Sequence, residues 1–196
     1  MVITQQLLQK NINLNHAGID EAGRGAIAGP VIIAAIMLTK TCRLNSIKDS
    51  KQLSKTNREL IYQHLVEECP TLSISVINEK EIDKHNILQA TLIGMKKAIK
   101  TLEKKPELCL IDGNKAPKIK GYTVQTVIKG DQLYPQIAAA SIIAKVTRDR
   151  IMNCTNRLYS NYHLAAHKGY GTKKHYQELK NYGPCRIHRK TFTLKK

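Results

Sequence analysis

Three short apolar runs in this chain each lead into an acidic residue, and those endings constrain the fold more than anything else in it. Ala17-Gly18-Ile19 is followed by Asp20-Glu21, Leu108-Cys109-Leu110-Ile111 by Asp112, and Thr123 to Ile128 by Lys129-Gly130-Asp131. Runs this short, bounded by glycine and polar residues, read as buried strands. A strand ending in a carboxylate carries it to the edge of a sheet, where ligands sit in α/β folds. One Asp at the start of a turn is commonplace. Acids at three strand ends are less so in a chain with 15 Asp+Glu against 32 Lys+Arg.

Asp20 and Glu21 are adjacent, and neighbouring side chains in a strand point to opposite faces. They serve one site only where the backbone is free to turn at a strand's end. Gly23-Arg24-Gly25 follows at once. The glycines allow close backbone approach to a ligand, and Arg24 suits a phosphate or a carboxylate. Gly23-x-Gly25-x-x-Ala28 also matches a loose dinucleotide fingerprint, which requires a helix to open inside the loop. Val31 to Leu38 is β-branched-rich and lacks helical polar spacing, so a strand, and hence a β-turn-β unit from His16 to Leu38, is the expectation.

Further along, Ser54 is expected to cap a helix running to about Glu68, with Leu60, Ile61, His64 and Leu65 on one face. Residues 3–10 read as a short amphipathic helix and Leu72 to Ile77 as a strand. Asn78 and Glu81 have capping-box spacing. A helix is expected from about Asn86 to Leu102, with a core stripe of Leu88, Thr91, Leu92, Met95, Ile99 and Leu102. Another is expected from about Pro135, with Ala139, Ile142, Ile143 and Val146 inward. Asp149, flanked by Arg148 and Arg150 on that helix, reads as a structural ion-pair residue. At 196 residues the chain fits one domain, with a basic part from about residue 155 to residue 196.

A formal net charge of +17 points to a polyanionic partner, most simply nucleic acid. His167 to Tyr176, followed by Arg186, His188, Arg189 and Lys190, mixes cations, tyrosines and glycines in a way that suits a nucleic-acid surface. Five cysteines without a CxxC pair read as free thiols of a cytoplasmic protein. Cys185-x-x-His188 and His163-x-x-x-His167 lack the second ligand pair of a zinc finger. No apolar run reaches membrane-spanning length.

Asp20, Glu21, Asp112 and Asp131 gathered in one cleft would repel one another without cations. Oxygen-only ligands favour Mg²⁺ or Mn²⁺, and two such ions are a known solution for attack on phosphodiesters. The residues reach as far as a metal-dependent enzyme of nucleic acid. The alternative is a non-catalytic nucleic-acid-binding protein on the same scaffold, which gains nothing from four carboxylates facing phosphates.

At these residues the chain resembles the type 2 ribonucleases H, specifically bacterial ribonuclease HII. The matching pieces are GIDEAGRGAIAGPV (18–31), DSKQLS (49–54), LIDGN (110–114), KGD (129–131), AAASIIAKVTRDR (138–150) and HKGYGTKKH (167–175). They stand in the family's order and span most of the chain. The resemblance implies an α/β, RNase H-like fold, a mixed sheet flanked by helices with a helical C-terminal part. It implies that Asp20, Glu21, Asp112 and Asp131 coordinate the metals, and that Gly23-Arg24-Gly25 reads the ribose 2′-hydroxyl. Tyr170 matches a tyrosine that packs on the neighbouring deoxyribose, while Ser50 and Lys51 match phosphate contacts. The implied reaction is hydrolysis of RNA in RNA–DNA hybrids and incision 5′ to a ribonucleotide in duplex DNA, leaving 3′-hydroxyl and 5′-phosphate ends. The sister ribonuclease HIII group usually adds an N-terminal substrate-binding domain, which about 16 residues before the first strand do not accommodate. With a short tail after Phe192 and no evident sliding-clamp motif, a monomer is expected.

Overall fold

The computed structural model describes residues 13–39 and 54–192. The lead-in helix expected over residues 3–10, and Ser50 and Lys51, lie outside the described residues. Five strands form one mixed sheet: β1 (His16–Ala22), β2 (Val31–Met37), β3 (Leu72–Ile77), β4 (Leu108–Asp112) and β5 (Val124–Val127), in the order β3-β2-β1-β4-β5. The first three strands pair antiparallel, whereas β4 runs parallel to β1 and β5 parallel to β4. The C-terminal ends of β1, β4 and β5 therefore open on the same edge of the sheet, as the three acid endings require. All seven residues of β2 are buried, because helices cover both faces.

Helix α1 (Lys55–Glu68) begins where Ser54 Oγ accepts the Asn57 N–H at 3.2 Å. Its Ile61 and Leu65 face the core as expected, but Leu60 is 60% exposed. Leu60 and Ile61 are adjacent, so a helix 100° per residue cannot bury both on a single narrow contact with the sheet. Helix α2 (Glu79–Lys100) is longer than expected, starting at the Asn78 cap and breaking at Asn86, whose φ of 61° and ψ of 163° are not helical. Asn86 Oδ1 accepts the Gln89 N–H at 3.0 Å, so Asn86 caps the second half of α2, which is the helix legible in the apolar stripe. Helix α3 (Pro135–Leu158) is the third long helix. Two short helices, α4 (Leu164–His167) and α5 (Lys173–Tyr182), follow it.

Helix α2 packs its Ala90, Met95, Ala98 and Ile99 on one face of the sheet against Ile19, Ile33 and Ile111. Helices α1 and α3 cover the other face, with Ile142, Ile143 and Val146 against Ile32, Ala34 and Ile36. The start of α3 lies directly on β1. A Cβ on Gly18 would stand 2.0 Å from the Gln136 carbonyl carbon, so glycine at 18 is what lets the helix approach. Residues 183–192 leave helical structure and run back as a strap across the turn between β1 and β2, where Ala28 pairs with His188.

Candidate active site

The parallel pairing of β1 with β4 matches Ile19 to Ile111, which brings Asp20 alongside Asp112 one residue later. Asp112 pairs with Val127 on β5 and then accepts the Gly130 N–H on Oδ1 at 2.7 Å. Gly130 opens a one-turn 3₁₀ helix, entered through Lys129 in the left-handed region (φ 55°), and Asp131 sits on that turn, 9% exposed. Three strand ends thus carry four acids to one edge of the sheet.

Asp20 and Glu21 do not leave the strand to meet each other. Both stay paired with β2 through Ala22, so they obey strand alternation. Asp20 is 6% exposed and turned to α3, where Ser141 hydrogen-bonds it. Glu21 lies on the α2 side, in an open pocket of about 150 Å³ with Leu88, Thr91, Asp112, Asn114 and Lys115. The expectation that the pair converges at a free strand end is corrected: the two carboxylates straddle the tip of the sheet, with Asp112 beside both. Accordingly, among the described residues no three His, Cys, Asp or Glu side chains enclose one point as metal ligands.

The carboxylates still feel one another. Burial, then the neighbouring Glu21, with Asp112 adding to it, holds the Asp20 carboxyl well above the usual range, although hydrogen bonds from Ser141 and the Glu21 N–H (2.7 Å) oppose this. Burial also raises Glu21, against the pull of Arg24 and with the push of Asp112. Arg24 Nη1 reaches Glu21 Oε1 at 3.2 Å, so a side-chain cation already shields part of the cluster. An all-carboxylate donor set that includes two carboxyls raised chiefly by burial suits a hard divalent cation such as Mg²⁺ or Mn²⁺.

Beside the acids lies the turn from Gly23 to Pro30. Two fully buried arginines hold it from within, Arg148 from α3 and Arg189 from the C-terminal strap. Arg148 Nε donates to Pro30 O at 3.0 Å and Nη2 to Ala28 O at 3.2 Å. Arg189 donates to Gly23 O (2.7 Å), Arg24 O (2.9 Å) and Gly29 O (3.0 and 2.9 Å). Burial, with Arg148 nearby, pushes the Arg189 guanidinium down to about 9. Gly23 has a φ of 97°, and a Cβ there would stand 2.0 Å from Arg148 Nε. Gly25 is exposed and open on its outer side.

Tyr170 joins the same unit. It bridges Ala26, and the preceding Gly169 carbonyl accepts from Ile27 N–H at 2.9 Å and Ala28 N–H at 3.2 Å. The Arg148 guanidinium lies 5.1 Å from the centre of the Tyr170 ring. From behind, His175 Nδ1–H donates to the Tyr170 carbonyl at 3.0 Å. A carbonyl only accepts, so His175 Nε2 must be the acceptor for His188 Nε2–H, 3.0 Å away. His188 Nδ1 in turn accepts from Cys185 N–H at 2.9 Å.

This network corrects one expectation. The histidines of the 167–176 stretch, with His188 and Arg189, are interior supports rather than parts of a surface: His175 and Arg189 are 0% exposed and His188 2%. His163 and His167 hydrogen-bond to Glu178 at 2.7 and 3.2 Å. Sequence reasoning missed Arg148 and Arg189 because basic residues in a chain of net charge +17 read as surface by default. The signal available was position: Arg148 lies two residues after the inward Val146, near the edge of the apolar stripe. Asp149 behaves as expected, pairing with Lys145 at 2.7 Å.

Comparison with known proteins adds to this geometry. Residues 17–195 match the family described as Ribonuclease HII. The Ribonuclease HII of Pelagibacter ubique (strain HTCC1062) is 46% identical over 177 residues, covering 90% of this chain and 95% of that protein. Among solved structures, the PCNA:RNase HII complex from Archaeoglobus fulgidus matches with a TM-score of 0.78 and 26% identity over 92% of this chain and 96% of that one. Bst-RNase HIII, solved in complex with Mn²⁺, matches with a TM-score of 0.71 over 90% of this chain and 65% of that one, and at 18% identity shares the RNase H-like fold alone. With the mixed sheet, the acid-bearing strand ends and a family match over nearly its whole length, this chain belongs to the ribonuclease HII family and is a ribonuclease H-type endonuclease.

Proposed function

We propose that this enzyme hydrolyses the RNA strand of RNA–DNA hybrids and incises duplex DNA on the 5′ side of an embedded ribonucleotide, leaving 3′-hydroxyl and 5′-phosphate ends. Such cuts serve ribonucleotide excision and primer removal. The observation that carries the reading is the placing of the Gly23-Arg24-Gly25 turn, with Tyr170 bound to its far side, directly after the acids of β1. A reader of the sugar and a site for hydrolysis are thereby built on consecutive residues.

In this reading Asp20, Glu21, Asp112 and Asp131 hold Mg²⁺ or Mn²⁺, two ions during the reaction. Such ions, when bound, activate the attacking water and stabilise the leaving oxygen. The chain's own groups do the rest. The N–H groups of Arg24 and Gly25 have no acceptor among the described residues and lie on the exposed side of the turn, where a ribose hydroxyl or phosphate meets them. Tyr170 offers its ring to the adjacent deoxyribose, and Arg148 keeps that ring in place. Lys115 and Arg24, with Ser50 and Lys51 from the matched motif, neutralise phosphates. Cys69, Cys109, Cys154 and Cys185 form no disulfide among the described residues, and we read the enzyme as a cytoplasmic monomer. No helix among the described residues is long and apolar enough to cross a membrane. A non-catalytic binder of nucleic acid gains nothing from four carboxylates at one edge facing phosphates.

The test is a labelled DNA duplex with a single ribonucleotide, incubated with Mg²⁺ or Mn²⁺ and then with chelator. A nick 5′ to the ribonucleotide that chelator abolishes is expected. Asp20→Asn should lower the rate by at least about a thousandfold while duplex binding stays within about threefold. Cleavage that persists in chelator, or in Asp20→Asn, would sink the metal assignment.

A further inference from the structure

We infer that Arg189 is a positioning residue that sets the ribonucleotide selectivity of this enzyme by fixing the two peptide groups whose N–H bonds face the substrate. The inference rests on the reading just given of the Gly23-Arg24-Gly25 turn. Arg189 touches no part of the substrate side. It is fully buried, and it sits in the strap behind the turn.

In a trans peptide the C=O and N–H point in opposite directions. The peptide from Gly23 to Arg24 has its oxygen on Arg189 Nη2 at 2.7 Å, so its N–H, that of Arg24, points the other way. The next peptide has the Arg24 oxygen on Arg189 Nη1 at 2.9 Å, so the Gly25 N–H also points outward. These are the same two N–H groups that lack an acceptor among the described residues. One planar guanidinium thus turns two consecutive peptides. A cationic donor on each oxygen also polarises the peptide and strengthens its N–H as a donor.

The arrangement is costly, which argues against an incidental contact. A buried guanidinium is ordinarily paired with a carboxylate. Among the described residues Arg189 makes no salt bridge, and Arg148, a second buried cation, stands close by and disfavours its charge. Among the described residues its side-chain hydrogen bonds all go to carbonyls of the turn. The strap itself is fastened at Arg189 and just beyond it. Arg189 N–H donates to Ile27 O at 3.0 Å, and Asp83 on α2 accepts from Lys190 N–H, Thr191 N–H and the Thr191 hydroxyl at 3.0, 3.0 and 2.8 Å. A lysine at 189 would keep the charge but could not span Gly23 O, Arg24 O and Gly29 O together.

The experiment measures selectivity rather than activity alone. Binding of two duplexes that differ only in one 2′-hydroxyl is compared in an Asp20→Asn background, which keeps the substrate intact, and kcat and KM are measured in the active background. R189K should bring the ratio of the two affinities to within about twofold of unity, leave the affinity for the all-DNA duplex within about threefold, and lower kcat by about thirtyfold or more. A variant that is merely less stable would keep its ratio, because the folded fraction still reads the hydroxyl. If R189K retains the wild-type ratio and kcat, the proposal is overturned while the ribonuclease reading stands. If the unmodified enzyme itself shows no preference for the ribonucleotide, the reading of the turn fails first and the proposal falls with it. Should R189K not fold, Asp83→Ala, which loosens the strap directly after Arg189, decides: a lowered ratio supports the role and an unchanged one overturns it.

Discussion

Gly23 and Gly25 flank the same arginine but meet different surroundings, and a single methyl group tells them apart. Alanine at 23 meets both a left-handed φ of 97° and Arg148 Nε at 2.0 Å. We expect Gly23→Ala to cost about 2–3 kcal/mol in urea unfolding and to lose cleavage with it. Alanine at 25 meets nothing within 4 Å. Gly25→Ala should melt within about 0.5 kcal/mol of the parent, yet cleave tenfold or more slowly, because its methyl group stands where the sugar approaches. Both glycines were legible in the sequence as a pair. Their division into one glycine packed on Arg148 and one open on its outer side was not, since it depends on an arginine 125 positions away.

At the scale of elements, the C-terminal strap and α5 are joined to the site through His175 and His188. Burial drives His175 down to about 4, and it lowers His188 as well. A histidine depressed in the folded state stays neutral there while the unfolded chain takes up the proton. Its contribution is therefore fully present above about pH 6.5 and is lost as pH falls towards 4. The loss for His175 is on the order of 3 kcal/mol. Protonation also sets two N–H groups against each other between His175 and His188. The raised carboxyls of Asp20 and Glu21 act in the opposite sense on acidification, so the comparison needs an internal control. We expect unfolding free energy between pH 7 and pH 4.5 to fall more steeply in the parent than in His175→Gln. Equal slopes would show that the histidine chain carries none of the pH dependence. The helix boundaries tell a related story. The apolar stripe of α2 shows its second half, but the turn before Asn86 depends on the Asn78 cap and on Asp83, which the strap engages.

For the molecule as a whole, 32 Lys+Arg against 15 Asp+Glu leave a formal net charge of +17, while four of the acids lie at one edge of the sheet. Duplex binding should therefore be mostly phosphate neutralisation. We expect affinity for an all-DNA duplex to fall at least about a hundredfold between about 50 and about 200 mM salt, with a slope that Asp20→Asn leaves nearly unchanged. A flat salt response, measured by anisotropy, would contradict a largely electrostatic footprint. By itself the sequence determined the five strands, the three long helices and the acids that follow three of those strands. These follow from local periodicity and caps, which a linear chain carries in full. It also carried the motifs of the family. Only the tertiary structure decided that Asp20 and Glu21 take opposite sides of the sheet, because β1 stays paired through Ala22. Only it decided that Arg148, His175, His188 and Arg189 turn inward. The arginines meet backbone carbonyls far away in sequence and the histidines meet each other's rings across a helix and a turn, and no pattern of neighbouring residue types records where a distant carbonyl points.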